Sequence, residues 1–295
     1  MVFLGISAAE SKYHLSCDYK LGGYCKIMLC QWKKEIPCKR VWPPELTGHF
    51  FKRNDEVLFF FHFDRQVAFL AQNQAWPRSV CPTSNLPKPL PSSWYLFHES
   101  APSYLLLNDT AGIDLNKLTY TAPLPPAATA FYLEQRKLAL HQGVLWQKEA
   151  WCIKSKGQSS YICEQNGKLQ WSFSGRAYPY TPIFYYHGHV YWGTAGNGGY
   201  FYLLSLETGN VIQKIKTGGT VAIITVDHFC YFVANMPSAR LLCVDLLSGN
   251  IVEEVPLKGK AEYSPLQLID RQLHTITFEY KDGMPHKAWW NCVTL

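Results

Sequence analysis

Two segments of the chain, Glu207-Thr-Gly-Asn-Val-Ile-Gln213 and Leu247-Ser-Gly-Asn-Ile-Val-Glu253, follow the same pattern. A third copy, Gln165-Asn-Gly-Lys-Leu-Gln-Trp171, precedes them. The glycines of the three copies lie 42 and 40 residues apart. A fixed period in the forties is typical of a chain built from one repeated supersecondary unit. We therefore interpret the 295-residue chain as a repeat protein.

One complete unit consists of the second copy together with the residues that directly precede it. It contains four strand-like segments, separated by turns at His187-Gly188, at Ala195–Gly199 and at Glu207–Gly209. Glycine and asparagine tolerate the positive φ angles that such turns need. Four antiparallel strands in about 42 residues are typical of one blade of a β-propeller.

The first hairpin turn of the unit recurs along the whole chain. We place it at Ala9-Glu10, Asn54-Asp55, Ser92-Ser93, His141–Gly143, His187-Gly188, Asp227-His228 and Asp270-Arg271. The sequence therefore predicts an all-β fold, a single β-propeller of seven blades with four antiparallel strands each. The predicted blades are residues 1–42, 48–80, 86–122, 130–175, 180–217, 220–258 and 263–295. No helical period competes, and we read even Phe131–Ala139 as strand.

Closure of the ring leaves two alternatives. The last unit shows only three strands, and residues near the N-terminus are the simplest source of its fourth strand. The segment Val2–Ser7 also aligns as the innermost strand of the first unit, and it cannot serve both purposes. A six-bladed ring, or a last blade of three strands, therefore stays open.

Composition and charge limit the classes of partner. Charged residues make up 17% of the chain, aromatic residues 15%, and the net charge is +6. Because lysine and arginine form no cluster, we expect no nucleic-acid partner, whereas an acidic protein fits this charge. Met1–Ala9 lacks the basic start of a signal peptide, and the apolar stretch Val57–Phe63 is too short to cross a bilayer. We expect a cytoplasmic protein that does not contact membranes and is a monomer.

The ten cysteines do not form a familiar framework. Four of them lie within apolar, strand-like segments and are predicted to be buried thiols: Cys163, Cys230, Cys243 and Cys292. Four others, Cys17, Cys25, Cys30 and Cys38, lack the two close pairs of a structural zinc site. A local bridge between Cys17 and Cys25 across a hairpin is the alternative.

Some of these motifs resemble the pyrroloquinoline-quinone-like repeat of the quinoprotein propeller superfamily. The resemblance rests on Gly167-Lys-Leu-Gln-Trp171, on the Thr208-Gly209 turn and on the run that ends in Val-Tyr-Trp-Gly193. It implies that Trp171 docks against the next blade, with Tyr120 as a weaker match, and Gln213 and Glu253 depart from the pattern. The quinone dehydrogenases look like larger, eight-bladed enzymes with a vicinal cysteine pair, which this chain lacks. We therefore expect no cofactor, and many divergent relatives look like protein-binding scaffolds.

The histidines at the first hairpin turns are candidate binding residues. His187 and His189 could hold a metal together with His141 or His228, since all lie at or beside the same kind of turn and would share one face. Three other turns offer no matching histidine, which favours exposed polar turn residues and no metal site. The glycine-rich segment 193–199 lacks the lysine and the helix of a phosphate-binding loop, and it is predicted to be a hairpin turn.

The tryptophans are the other candidates for a binding surface. Trp42, Trp76 and Trp94 flank proline-containing loops, and tryptophan is enriched in binding hot spots. Core packing is the alternative for any one tryptophan. We predict that the chain binds a protein through these tryptophans and through His187, His189 and His228.

The sequence contains no nucleophile elbow, and its scattered acidic residues give no obvious acid/base pair, although the fold could assemble one. We therefore predict a non-catalytic protein that binds an acidic partner or a toxin domain, as a bacterial immunity or accessory protein. The competing interpretation is a hydrolase or lyase, possessing an active site at the channel mouth and a metal held by His187 or His189.

Overall fold

The computed structural model describes most of the chain from residue 49 onward and two short segments before it. The described residues are 13–14, 31–36, 49–63, 66–72, 74, 78–82, 95–98, 103–139, 144–157, 159–175, 179, 181–194, 198–220, 222–261, 266–281 and 284–295. They form six antiparallel sheets and one helix. The first two strands are β1 (Tyr13–His14) and β2 (Gln31–Ile36).

The next two sheets each contain four strands in sequential order. Sheet 1 consists of β3 (His49–Arg53), β4 (Glu56–Phe63), β5 (Gln66–Ala71) and β6 (Arg78–Pro82). Sheet 2 consists of β7 (Tyr95–Phe97), β8 (Tyr104–Leu106), β9 (Gly112–Asp114) and β10 (Thr119–Thr121). Helix α1 (Pro126–Ala139) follows sheet 2.

Three further sheets repeat the same order and contain the motifs with the forty-residue period. Sheet 3 consists of β11 (Val144–Lys148), β12 (Trp151–Ser155), β13 (Ser160–Gln165) and β14 (Lys168–Ser174). Sheet 4 consists of β15 (Phe184–Tyr186), β16 (His189–Gly193), β17 (Tyr200–Ser205) and β18 (Val211–Lys216). Sheet 5 consists of β19 (Ile223–Val226), β20 (Phe229–Ala234), β21 (Arg240–Asp245) and β22 (Ile251–Pro256).

The last sheet joins the two parts of the chain that are farthest apart in sequence. Sheet 6 consists of β23 (Leu266–Ile269), β24 (Gln272–Lys281) and β25 (Met284–Thr294), followed by β2 and β1. Strand β2 is antiparallel to β25, with Gln31 opposite Val293 and Ile36 opposite Ala288. The N-terminal part of the chain therefore supplies the fourth strand of the last sheet. Val2–Ser7 and Ala9-Glu10 lie outside the described residues.

Apolar clusters between neighbouring sheets establish a β-propeller. Sheet 6 packs on sheet 1 around Phe59 and Trp290, and sheet 1 packs on sheet 2 around Phe60 and Leu105. Similar clusters join sheet 3 to sheet 4, sheet 4 to sheet 5 and sheet 5 to sheet 6. The innermost strand β23 lies beside both β19 and β3. The protein is therefore an all-β propeller, and its six described sheets agree with the predicted range of six to seven blades.

The predicted first hairpin turns are correct in four sheets. Asn54-Asp55, His187-Gly188, Asp227-His228 and Asp270-Arg271 all connect the first two strands of a sheet. In sheet 2 this connection lies between Phe97 and Tyr104, so its prediction at Ser92-Ser93, which lies outside the described residues, was wrong. In sheet 3 the turn is at Glu149-Ala150, so its prediction at His141–Gly143, also undescribed, was wrong. Neither turn contains the glycine, asparagine or aspartate that marks each of the four correctly predicted turns.

Helix α1 contradicts the prediction of a strand at Phe131–Ala139. The helix begins at Pro126, a position where proline loses no helical hydrogen bond, and alanines fill its first turns. Ala128 and Tyr132, four residues apart, bury one face of the helix against Phe97 and Leu106 of sheet 2. The helix thus covers the side of sheet 2 that faces sheet 3 in the ring order. Among the described residues, no apolar cluster contains side chains of both sheets 2 and 3.

The four cysteines predicted to be buried thiols are buried and free. Burial raises the pKa of the Cys163 and Cys243 thiols to about 12, so both stay protonated and unreactive. Cys17, Cys25, Cys30 and Cys38 lie outside the described residues.

Candidate functional site

The first turns of the six sheets and the third turns of sheets 1 to 5 lie at one end of the propeller, which we call the hairpin face. Backbone hydrogen bonds join the two kinds of turn in sheets 4 and 5. Leu206 N–H donates to Gly188 O, and Leu246 N–H donates to His228 O, both over 2.8 Å. Leu295 N–H donates to Arg271 O in the same way in sheet 6. The hairpin face is therefore held rigidly by the main chain.

The structure places His187, His189 and His228 on the hairpin face of sheets 4 and 5. His189 Nδ1 donates a hydrogen bond to Leu246 O over 2.9 Å. The main-chain N–H of the same Leu246 donates to His228 O. His187 is exposed, with a φ of 43°, and its ring meets the edge of Tyr186 at 4.5 Å. The first turns of sheets 4 and 5 are where the sequence predicted them, so these three histidines lie at the same end of their sheets.

These histidines do not form a metal site in the part of the chain that the structure describes. No group of three or more His, Cys, Asp or Glu side chains there is arranged to hold an ion. His189 has one ring nitrogen engaged by a carbonyl, and the ring of His228 packs at 4.0 Å from that of Phe229. His141, the proposed third ligand, lies outside the described residues.

The tryptophans divide into two groups. Trp42, Trp76 and Trp94, the three predicted to bind a partner, lie outside the described residues. Trp192 is fully buried, and Trp146 packs against the same cluster between sheets 3 and 4. Core packing therefore accounts for these two side chains.

Trp171 docks on the next sheet, as the resemblance implies. Its Nε1–H donates to Leu206 O over 2.7 Å. A Cβ placed on Gly209 would lie 2.6 Å from Trp171 Cγ, so the indole rests directly on the turn of sheet 4. Tyr120 does not dock in this way, because it packs against the cluster between sheets 1 and 2.

Gln213 and Glu253 occupy the place of Trp171 in the next two sheets. Gln213 Nε2 donates to Gly249 O over 2.9 Å, and this polar contact lies beside an apolar contact of Ile212 with Gly249. Partial burial raises the pKa of the Glu253 carboxyl to about 6. The outer strands of sheets 3 and 4 thus meet the following sheet through an indole and an amide, and the corresponding position of sheet 5 is a partly buried carboxyl group.

The hairpin face also exposes a group of apolar side chains that the sequence analysis missed. Ten large apolar side chains are exposed in the described part of the chain, and six of them flank the third turns of sheets 3, 4 and 5. We call this group the apolar rim. It consists of Leu169, Val211, Ile212, Leu247, Ile251 and Val252.

A β-bulge explains why neighbouring residues of the apolar rim are exposed together. In sheet 4 the register shifts so that Leu203 pairs with Gln213 and Leu204 with Val211, which leaves Ile212 as the extra residue. Val252 is the extra residue of the same bulge in sheet 5. A bulge interrupts the alternation of a strand, so Val211 and Ile212 are both partly exposed, although Ile212 also contacts the Gly249 turn of sheet 5. Two apolar residues directly follow Gly-Asn in both repeats, Val211-Ile212 and Ile251-Val252. These pairs were the sequence signal from which the apolar rim could have been predicted.

The outer strands of sheets 4 and 5 carry opposite charges at corresponding register positions. Lys214 of β18 corresponds to Glu254 of β22, because they pair with Tyr202 and Leu242 in corresponding strands. Arg240 Nε lies 3.5 Å from Glu254, whereas the ion pairs of the described residues do not include Lys214. Lys214 Nζ instead lies 4.5 Å from the centre of the Tyr200 ring.

A polar contact also joins the innermost strands of sheets 6 and 1. Gln267 Nε2 lies 3.2 Å from His49 Nε2, and Gln267 Oε1 accepts the Phe50 N–H at 2.5 Å. Burial, with a smaller effect of His98, lowers the pKa of His49 to about 4. His49 is therefore neutral. Its contact with Gln267 joins the last sheet to the first near the centre of the ring. The sequence analysis singled out neither residue.

Searches for similar proteins add little beyond the fold. No protein-family model and no curated protein sequence matches the chain. Within the described residues, no helix is long and apolar enough to span a membrane.

Several solved propeller structures share a distant likeness with the chain. BamB from Moraxella catarrhalis is 10% identical, with 85% of this chain and 83% of BamB covered and a TM-score of 0.33. The WD40 propeller domain of Doa1 is 11% identical over 84% of this chain and 77% of the domain, with a TM-score of 0.33. A europium-containing methanol dehydrogenase is 14% identical over 44% of this chain and 26% of the enzyme, with a TM-score of 0.32.

Proposed function

We propose that this propeller binds a protein partner through its hairpin face and catalyses no reaction. The apolar rim is the observation that supports this function. Large apolar side chains that are exposed together on one rigid surface are typical of protein-binding sites. Because hydrogen bonds within and between the turns already order this face, binding requires little further ordering of the backbone.

The partner that we propose is acidic. The chain has a net charge of +6, and Lys168, Lys214 and Lys216 on the outer strands of sheets 3 and 4 take part in none of the ion pairs between described residues. Their positive field would speed association with an acidic protein. His187, which is exposed beside Tyr186, would add a polar contact on the same face.

A narrower role follows from the sequence. We propose a monomeric, cytoplasmic protein of a bacterium that neutralises a toxin or assists a secreted protein. We also propose that it is a divergent, non-enzymatic member of the quinoprotein propeller superfamily. The docking of Trp171 on Gly209 supports this membership, since the repeat of that superfamily places its tryptophan in the same way.

Capture of the partner by matched variants tests the proposed function. Tagged wild-type protein, the rim variant Val211→Ser/Ile212→Ser and the control Met236→Ser would be incubated with lysate of the native host, and bound proteins quantified by mass spectrometry. Met236 is also exposed, but it lies in a second turn, at the opposite end of its sheet. We expect one protein that the wild type and the control retain and the rim variant loses.

A measurement of stability accompanies the capture experiment. Urea unfolding should show that all three proteins are folded, with only small losses of stability in the two variants, because the substituted side chains are largely exposed although Ile212 contacts Gly249 and Met236 contacts Gly218. If the rim variant and the control retain the same proteins as the wild type, the hairpin face is not the binding site.

A further inference from the structure

The outer strand of sheet 4 carries an exposed strip that differs from the rest of the apolar rim. Strand β18 pairs only with β17 among the described strands, and one of its sides faces solvent. Two apolar side chains lie at its hairpin-face end and two lysines follow. We call this group the β18 strip, and it consists of Val211, Ile212, Lys214 and Lys216.

The dimensions of the β18 strip suit a short segment of chain. Six residues of a β-strand span about 20 Å. Val211 and Ile212 are 46% and 38% exposed, so a partner would bury substantial apolar area there. Lys214 and Lys216 lie two residues apart, and they pair with Tyr202 and Tyr200 in the neighbouring strand. Both lysines thus project from the same face of β18.

We infer that the β18 strip binds an acidic segment of a protein, whose apolar side chains contact Val211 and Ile212 and whose carboxylates pair with Lys214 and Lys216. This inference rests on the proposed function and identifies the chemistry of the partner. Lysines on an outer strand disfavour pairing with apolar or basic segments. A segment that places carboxylates opposite them gains charge-assisted hydrogen bonds.

Recognition at the β18 strip depends on side chains more than on the main chain. The Lys214 N–H, which faces away from β17, already donates to Gln213 Oε1 over 2.8 Å. Gln213 in turn donates to Gly249 O of the next sheet. Addition of a regular strand would have to break this arrangement, whereas contacts with the apolar and lysine side chains leave it intact. One exposed acid, Glu207, lies in the preceding turn and would disfavour carboxylates at the hairpin-face end.

Sheet 5 offers the same shape with the opposite charge. Ile251 and Val252 correspond to Val211 and Ile212, while Glu254 and Pro256 correspond to the two lysines. Glu254 is held by Arg240, and proline offers no main-chain donor. An acidic segment that needs only apolar surface would bind both strips equally, whereas one that needs the lysines would bind sheet 4 alone.

Two synthetic peptides would serve as probes. The acidic peptide has two valines followed by glutamates at alternate positions, and the basic peptide has lysines in place of the glutamates. Fluorescence anisotropy would measure their affinity for the full chain. We expect the acidic peptide to bind saturably, with an affinity that falls at least about tenfold between roughly 50 and 500 mM salt. The basic peptide should not bind.

Variants of the two strips assign the site. Lys214→Glu/Lys216→Glu should weaken binding of the acidic peptide at least about tenfold. Ile251→Ser/Val252→Ser, the matched change on sheet 5, should alter it less than about twofold. The inference is overturned by equal binding of both peptides, by an unchanged affinity of the lysine variant, by an equal loss in the sheet 5 variant, or by no binding.

The lysate experiment separates this inference from the proposed function. If Lys214→Glu/Lys216→Glu still captures the partner that Val211→Ser/Ile212→Ser loses, the hairpin face binds a protein but the acidic segment is wrong. If no variant loses a partner, both proposals fail.

Discussion

Sheets 4 and 3 each have a face that points towards the preceding sheet, and the two faces are chemically different. On sheet 4 this face is apolar and at most 2% exposed, and it consists of Val190, Trp192, Tyr202 and Leu204. The corresponding positions of sheet 3 are half-buried, and they are Cys152, Lys154, Ile162 and Glu164. Lys154 Nζ and Glu164 Oε2 are 2.5 Å apart across the surface of sheet 3.

What covers each face explains this difference. Sheet 3 packs on the apolar face of sheet 4, and Trp171 completes the contact. The side of sheet 2 that faces sheet 3 is instead covered by helix α1, so its apolar side chains are buried without contacts to sheet 3. The polar face of sheet 3 therefore keeps its charged groups near water, where they cost little. The repeat pattern is strict only where two sheets bury each other.

Loss of Trp171 should cause the largest change in stability. We expect Trp171→Ala to lower the free energy of unfolding by about 3 kcal/mol, because it removes a buried indole and leaves a cavity at the interface of sheets 3 and 4. Gln213→Ala, at the corresponding place in sheet 4, should cost about 1 kcal/mol, since it removes the hydrogen bond to Gly249 O and an exposed local one from Lys214 N–H. Urea unfolding measures both, and equal losses would contradict the different roles of the two side chains.

Substitution of two glycines allows a direct comparison of the third turns of sheets 4 and 3. Gly209 and Gly167 have φ angles of 70° and 74°, so alanine is strained at both. A Cβ at Gly209 would also clash with Trp171, whereas at Gly167 it would meet no atom within 4 Å. Gly209→Ala should therefore destabilise the protein by about 1 kcal/mol more than Gly167→Ala does. The same loss in both variants would mean that Trp171 is not tightly docked.

The carboxyl of Glu253 should make stability depend on pH. Burial raises its pKa in the folded protein to about 6, above its value in the unfolded chain. The favourable contribution is therefore complete below about pH 4.5 and is lost as pH rises through 6. We expect Glu253→Gln to gain stability relative to the wild type over this range, by less than about 1 kcal/mol because the group is partly solvated. Parallel pH profiles of the two proteins would contradict this.

The smallest effect is expected at the polar face of sheet 3. Replacing both Lys154 and Glu164 by alanine should leave the urea midpoint unchanged, since neither group is deeply buried. A large loss of stability would show that this face packs against another part of the protein.

The sequence predicts those elements whose structure is determined by the residue types of a local segment. It fails for elements whose structure is determined by packing against distant parts of the chain. Turns marked by glycine or asparagine, such as His187-Gly188, were found because positive φ restricts the residues there. Helix α1 was missed because Phe131, Tyr132 and Leu133 look like a strand, and only contact with sheet 2 reveals the spacing of Ala128 and Tyr132. The apolar rim was missed for a related reason.

The rim depends on a bulge that sequence alternation does not show. A regular strand would bury one of Val211 and Ile212, whereas the shifted register exposes both. The shared face of His187, His189 and His228 was predictable, because it follows from the order of the turns. Its neighbourhood was not, since the contact of His189 with Leu246 joins residues of two different sheets.

Photo-crosslinking in the native host tests most directly whether the hairpin face binds a protein. A photoreactive amino acid would replace Val211 on the apolar rim or, in a separate protein, Met236 at the other end of the propeller. The proposed function predicts one discrete adduct at Val211, formed with an acidic protein, and none at Met236. No adduct at Val211, or the same adducts at both positions, would contradict it.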